Sequence, residues 1–237
     1  MNRDGSNDGG FAASLDDYEY WQGAIPHNNE FQLSVGKAIQ EFFGGSNLSS
    51  LLGLEIGCGT GMTTDVILRS HPGIKLFSID KELSMVLKSR KRFEDMTNVY
   101  FSCGDALFYL QMNLSRMFDF VATAYVLHNL DRSYSVPICR EIYRVLKPGR
   151  PFVNADKFSQ DDDLEHRACY DWQIAQIEKF DGSRKSSSKS NLIKHYEEDD
   201  KIRIRESEYM QTLKDIGFRD VRRTYREKME ATIVAIK

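Results

Sequence analysis

Leu52-Gly53-Leu54-Glu55-Ile56-Gly57-Cys58-Gly59-Thr60-Gly61-Met62-Thr63-Thr64 decides the reading of this chain. The apolar run Leu51 to Ile56 reads as a buried strand, three glycines follow at alternate positions, and Val66, Ile67 and Leu68 open a helical pattern. Strand, glycine turn and helix together bring backbone N–H groups and a helix N-terminus against a ligand, because glycine lets the chain turn sharply and approach closely. The acid at Glu55 departs from a dinucleotide fingerprint. A carboxylate there repels phosphate and suits a cation or a hydroxyl-bearing ligand.

The text on either side repeats a strand–helix rhythm. Ile74 to Ile79 is a second strand ending in Asp80, and Val99 to Cys103 is a third closed by Gly104-Asp105. Phe118 to Ala124 is a fourth and leads into Tyr125-Val126-Leu127-His128-Asn129-Leu130. Pro151 to Ala155 is a fifth and ends in Asp156. Met85, Val86 and Leu87 mark the helix after the second strand, whose other side carries the solvated Lys88, Arg90, Lys91 and Arg92. Ile138, Ile142, Val145 and Leu146 mark the helix before the fifth. Five strands alternating with helices predict an α/β, doubly wound, Rossmann-like parallel sheet covered on both faces. Ligands in such sheets bind at the carboxyl ends of the strands. Glu55, Asp80, Asp105, Tyr125 with His128, and Asp156 all fall at those ends.

Residues 1–14, rich in Gly, Asn, Asp and Ser, are expected to be a disordered tail, and residues 15–237 one domain. Within it, residues 15–45 hold an aromatic segment (Tyr18, Tyr20, Trp21), broken at Ile25-Pro26, and a helix marked by Phe31, Val35, Ala38, Ile39 and Phe42 that Gly44-Gly45 stops. The aromatic segment either packs on the flank or closes over the ligand. Residues 157–206 interrupt the alternation and read as an inserted helical cap, with the stripe Leu164, Ala168, Trp172, Ala175 and a flexible connection from Asp181 to Ser190. Tyr209, Met210, Leu213 and Ile216 form the last helix before a hairpin of Val221–Tyr225 and Ala231–Ile236.

Composition sets further bounds. A hydrophobic content of 41% and a charged content of 28% are ordinary for a globular chain. The net charge of -3 argues against a generic grip on nucleic acid. No apolar run approaches the roughly 18 residues of a membrane span. The polar opening Met1 to Gly5 lacks a secretory signal, so a cytoplasmic protein is expected. Cys58, Cys103, Cys139 and Cys169 show no paired or metal-finger spacing and read as reduced thiols. Asp161-Asp162-Asp163, His166 and His195 offer ligand types without a defined spacing, and an acidic helix start accounts for the three aspartates, so no metal is assigned.

With these motifs in place the chain resembles the class I S-adenosylmethionine (SAM)-dependent methyltransferases from about residue 16 onward. The acid-x-Gly-x-Gly-x-Gly signature is met by Glu55, Gly57, Gly59 and Gly61. Asp80, Met85, Asp105 with Ala106, Tyr125 to Leu130, Leu146-Lys147-Pro148-Gly149 and Ile216-Gly217-Phe218 match further family positions. The resemblance implies a seven-stranded sheet with the last strand antiparallel, SAM as methyl donor and S-adenosylhomocysteine as product. It places the three glycines on the methionine part, Asp80 on both ribose hydroxyls, Met85 on the adenine ring, Asp105 at the adenine amino group and Glu55 near the ammonium end. Cys58, Lys81, Gly104, Ala106 and Tyr125 flank these and complete the expected cofactor set.

The likeness is nearer to small-molecule methyltransferases with a helical insertion after the fifth strand, and to the carboxy-SAM synthase branch that modifies SAM for transfer-RNA chemistry. No arginine-bearing lid motif commits the chain to the latter. Methyl transfer needs an acceptor held in line with the sulfonium methyl, and an oxygen or nitrogen acceptor gains from a base. His128 is the candidate, with Asp156 and Tyr125 behind it; its competing role is to anchor the loop. The expected partner is a small molecule with an O, N or C acceptor atom, and a homodimer is compatible with the sequence. A nicotinamide oxidoreductase would want its third glycine three residues after the second, whereas Gly61 follows Gly59 by two. A SAM-binding subunit without turnover is the non-enzyme alternative.

Overall fold

The computed structural model describes residues 15–44, 50–180 and 186–237. The expected tail at 1–14, Gly45 as a helix stop, and residues 181–185 of the expected connection lie outside them. Among the described residues, α1 (Leu15–Ala24) and α2 (Asn28–Phe43) come first. Alternation then sets in with β1 (Leu51–Ile56), α3 (Met62–Ser70), β2 (Ile74–Asp80), α4 (Leu83–Arg92), β3 (Val99–Cys103) and α5 (Ala106–Met112). β4 (Phe120–Ala124) passes through a 3-10 turn at Leu127–Asn129 into α6 (Arg132–Val145) and β5 (Pro151–Lys157). Helices α7 (Asp163–Lys179), α8 (Ser186–Lys201) and α9 (Glu206–Ile216) precede the hairpin of β6 (Arg219–Glu227) and β7 (Glu230–Ile236).

The described strands form one seven-stranded sheet in the order β3-β2-β1-β4-β5-β7-β6. β1 to β5 run parallel, and β7 enters antiparallel to both β5 and β6. The strand order reverses beside β1, whose neighbours are β2 and β4, and the crevice of a doubly wound sheet opens at such a reversal. Alternate side chains cover alternate faces. Phe120 and Ala122 pack with Phe31, Val35, Ile39 and Ile67 of α2 and α3, while Val121 packs with Leu110, Ile138, Ile142 and Leu213 of α5, α6 and α9. The mostly apolar text of β4 follows from burial on both faces, whereas β5 buries Asn154 and Asp156 among its apolar residues.

Helix α1 and the inserted helices share a third cluster. Trp21 and Ala24 meet Cys169, Tyr170 and Ile177 of α7, Leu192 and Tyr196 of α8, and Met229. The Trp21 indole N–H donates to the Ser188 carbonyl at 3.1 Å. Here the structure corrects the sequence: Ser186 to Ser190, expected to be flexible, are the first turns of α8. Serine is a poor helix former, but the burial of Leu192 and Tyr196 against α1 outweighs that weak preference. Helix α5 went unmarked in the sequence, because Phe108 and Met112 on it are exposed and blur its periodicity. The fourth strand starts at Phe120 rather than Phe118, and the helix marked by Ile138, Ile142 and Val145 begins at Arg132, ahead of Pro137.

Candidate active site

The glycine turn leaves β1 with positive φ at Gly57 (79°), Gly59 (50°) and Gly61 (87°). The N–H groups of Gly57 and Cys58 both donate to the Ile79 carbonyl, at 2.7 and 3.0 Å, which fastens the turn to the end of β2. A Cβ on Gly57 would lie 2.2 Å from Val126 Cγ2, and one on Gly59 would lie 2.8 Å from the Tyr18 hydroxyl. Only bare backbone fits between those neighbours. Asp80 then holds the turn from the next strand. Its Oδ2 accepts the Gly59 N–H at 2.8 Å and its Oδ1 accepts the Glu82 N–H at 2.9 Å, leaving each oxygen a second acceptor position. Burial pushes the Asp80 carboxyl up, and these two N–H groups oppose the push.

A cavity of about 250 Å³ lies at the carboxyl ends of β1 to β4. Among the residues expected at the cofactor, Gly57, Gly59, Asp80, Lys81, Met85, Gly104, Asp105, Ala106 and Tyr125 line it. Asp105 is also a structural group: it caps α5 through the Phe108 N–H at 2.8 Å and accepts the hydroxyl of Tyr134 from α6. Tyr18 closes the cavity over Gly59, so α1 takes the covering place rather than the flank. Burial and the nearby Asp80 push the Tyr18 phenol up to about 12, so it is a hydrogen-bond donor at neutral pH.

Three expected cofactor residues stand behind the wall. Cys58 and Gly61 do not line the cavity; a Cβ on Gly61 would meet the Phe93 ring at 2.6 Å, so that glycine serves the packing of α4. Glu55 is fully buried beneath the turn, where its Oε2 accepts the hydroxyls of Thr64 at 2.6 Å and Ser78 at 2.5 Å. Its Oε1 has no hydrogen-bond partner. Burial lifts its carboxyl to about 7, against the pull of both hydroxyls. The acid therefore ties β1, β2 and α3 together, and it reaches the cavity only through the turn above it.

A second constellation sits beyond β4 and β5. Asp156 is buried, and its Oδ2 accepts the N–H groups of Leu127 and His128 at 2.9 and 3.1 Å while its Oδ1 meets His128 Nδ1. The ring of His128 is thereby oriented with Nε2 toward the cap. Tyr125 takes a left-handed φ of 56°, uncommon for a bulky residue, and its buried hydroxyl has no partner. Strain of this kind survives where surrounding contacts enforce it, here the Phe31 ring at 4.3 Å and the Tyr125 N–H on the Ala155 carbonyl at 3.0 Å.

The cap supplies a cluster for which the sequence offered His195 only as a ligand type without a defined spacing. His195 and Asp199 of α8 line the cavity, and Asp199 Oδ2 lies 3.6 Å from His128 Nε2 and 3.3 Å from His195 Nε2. The Lys157 ammonium pairs with the same carboxylate and rests 4.2 Å from the Tyr196 ring centre. Burial would raise the Asp199 carboxyl, yet Lys157 and the two imidazoles hold it below its ordinary value. Burial, with Lys157 adding to it, presses His195 down to about 3. His195 and Asp199 stand at i, i+4 on one face of α8, and nothing local in the sequence announces that this face meets His128. The other acidic candidates lie elsewhere: Asp162 caps α7 through the N–H groups of Leu164 and Glu165, and His166 pairs with Asp200 at 2.7 Å.

Known proteins are similar to this chain in one matched segment and in fold. Residues 54–149 match the family model described as a methyltransferase domain. No curated protein matches the chain. Among solved structures, a SAM-dependent methyltransferase from Aquifex aeolicus aligns over 94% of this chain and 99% of its own at 19% identity and a TM-score of 0.58. The DszA carbon methyltransferase aligns over 96% of this chain and 58% of its own, at 17% identity and a TM-score of 0.68. The pyocyanin biosynthetic protein PhzM aligns over 84% and 54%, at 18% identity and a TM-score of 0.58. The chain thus spans little more than half the length of the latter two, and at these identities the likeness to solved structures is one of fold. The matched segment carries the glycine turn, Asp80, Asp105 and the turn after β4, so this part of the chain is similar to a methyltransferase domain, and the whole chain shares the fold of SAM-dependent methyltransferases.

Proposed function

We propose that this chain methylates a small-molecule acceptor, at an oxygen, nitrogen or activated carbon atom, with SAM as donor. One observation carries the reading: a single cavity is lined by the glycine turn, by Asp80 and Asp105 from two neighbouring strand ends, and by His195 and Asp199 from the cap. Bound SAM supplies an electrophilic methyl group on a positively charged sulfur. The residues present suit such a ligand. Asp80 offers two acceptor positions for vicinal hydroxyls, Met85 and Ala106 give an apolar wall for a flat ring, and the acids favour a cation. Gly57 and Gly59 admit the ligand against the backbone, where any side chain would fill the space.

The acceptor belongs at the opposite end, between Tyr125 and the cap. Helix α8 covers that end while Tyr18 covers the glycine turn, which excludes water and holds the acceptor in line with the donor. His128, oriented by Asp156, faces Asp199 and His195 there, and this cluster activates the proton-bearing atom of the acceptor. Enclosure by helices rather than an open basic groove favours a small molecule over nucleic acid. The test is a thermal-shift and calorimetric comparison of SAM, S-adenosylhomocysteine and NAD, followed by a mass-shift screen of metabolite pools. Binding of SAM and its demethylated product, with a methylated species in the screen, is the expected result. Stabilisation by NAD alone overturns it.

A further inference from the structure

His128, His195 and Asp199 come from segments far apart in the chain, yet one ligand atom from each lies within 4.8 Å of the others. Asp199 Oδ2 is 3.3 Å from His195 Nε2 and 3.6 Å from His128 Nε2. Donors bound about 2.0–2.2 Å from a first-row divalent cation stand roughly 3–3.5 Å apart, so these spacings are close to those of a formed site. We propose that these three residues bind one divalent transition-metal ion at the acceptor end of the cavity.

A second observation points the same way independently of the clustering. His128 Nε2 is buried and makes no hydrogen bond, although the ring is held firmly on its other side. Asp156 meets Nδ1 and accepts two backbone N–H groups, so Nε2 is aimed at Asp199 and His195. Carboxylate, histidine and metal in that sequence is how proteins orient ligating imidazoles and raise their basicity. The His195 ring is set by stacking on Trp21, with centroids 5.3 Å apart and planes 17° from parallel. Both supports are fixed before any cation arrives.

The donor set also selects the ion. Two imidazoles and one carboxylate, with no thiolate and no all-oxygen cage, suit zinc, iron(II), manganese, cobalt or nickel rather than copper(I), magnesium or calcium. Three protein ligands leave coordination positions open, and His195 and Asp199 line the cavity, so those positions face the space assigned to the acceptor. An acceptor with an acidic hydroxyl or an enolisable carbonyl beside a second oxygen is the class that would chelate there. This last step rests on the methyltransferase reading; the binding of the ion does not. Lys157 competes for the site, because its ammonium already pairs with Asp199 Oδ2. The ion must displace it toward the Tyr196 ring, over which it already lies.

The test uses untagged full-length protein, stripped with a chelator and dialysed. Titration with cobalt(II) is followed by visible d–d absorption, and zinc binding is measured by calorimetry. The expected result is one equivalent per chain, with Asp199→Asn and His195→Ala each weakening binding at least tenfold. SAM titration of the same variants shows whether they are folded, and the wild-type cobalt spectrum stands without any variant. Failure of the wild type to bind one equivalent of either ion, or equal affinity in folded Asp199→Asn and His195→Ala, overturns the proposal. Loss of metal with SAM binding intact removes only the ion. Loss of SAM binding with the metal retained removes the methyltransferase reading instead.

Discussion

The two ends of the cavity are built differently. The end proposed for the donor is assembled from turns that follow consecutive strands: Gly57 and Gly59 after β1, Asp80 at the end of β2, Gly104 and Asp105 after β3. Each group sits within a few residues of the strand that positions it, and the bonds between them are largely to backbone. The end proposed for the acceptor joins His128, Asp156 and Asp199 through side-chain contacts across 28 and 71 positions of sequence, with Lys157 balancing charge that the burial of Asp199 would otherwise make costly. A frame made of backbone can be the same for many acceptors. A network made of side chains from an insertion can change with each one.

If that contrast is right, damage to the backbone frame is the most severe and the most local to the donor. Gly57→Ala places a Cβ 2.2 Å from Val126 Cγ2 at a φ of 79°. The left-handed backbone costs about 1–2 kcal/mol and the overlap about 1–3 kcal/mol more. SAM affinity in calorimetry should fall on the order of a hundredfold, while cobalt binding at the far end changes less than about threefold. An equal loss at both ends would show that the two are one unit.

Asp156→Asn attacks the other end and should show the reverse pattern. The side chain keeps its size but loses charge-assisted bonds to two N–H groups and to the His128 ring, each worth roughly 1.5–3 kcal/mol. Turnover should drop about a hundredfold with SAM affinity within about threefold of wild type. A collapse of SAM binding would move Asp156 into the donor frame.

This asymmetry also explains what could be read before the structure. Strand ends, glycine turn and the acids Asp80 and Asp105 recur at regular chain intervals, so their convergence was legible from alternation alone. That Glu55 lies behind the turn was not, because a carboxylate next to a glycine motif looks alike whether it faces the ligand or Ser78 and Thr64. His195 was visible only as a ligand type without a defined spacing, and Asp199 only as one acid of a mixed-charge stretch. Their placement depends on Trp21 gripping the start of α8 from 167 residues away, a contact no local pattern encodes. Tyr18 was left between two roles for the same reason.

Glu55 gives a smaller test, and one that depends on pH. Its carboxyl stands at about 7 when folded, against 4.5 ordinarily, because burial disfavours the charge. The unliganded protein binds this proton more tightly than the unfolded chain does. The associated stability is complete below about 4.5 and is lost as pH rises through about 7. Glu55→Gln removes the titration, so its melting temperature should gain on wild type between pH 5 and pH 8, by at most the equivalent of roughly 3 kcal/mol. A difference that stays flat with pH would show that Oε1 has a partner the buried frame hides, and that the donor end is less purely a backbone construction.

The mildest test lies where the donor frame borrows a side chain. Tyr134 of α6 gives its hydroxyl to Asp105, which otherwise rests on the Phe108 N–H at 2.8 Å. Tyr134→Phe keeps the ring at the cavity wall and removes the hydroxyl's hydrogen bond to the partly exposed Asp105, worth about 1 kcal/mol. The Kd for SAM should rise about fivefold, with kcat unchanged at saturating donor, because Asp105 would hold the donor equally in the ground and transition states. An unchanged Kd would mean the helix cap alone positions Asp105, and the donor end would then be backbone throughout. A fall in kcat would instead link α6 to the acceptor end through the turn at Leu127–Asn129, whose Leu130 and Tyr134 line one wall of the same cavity.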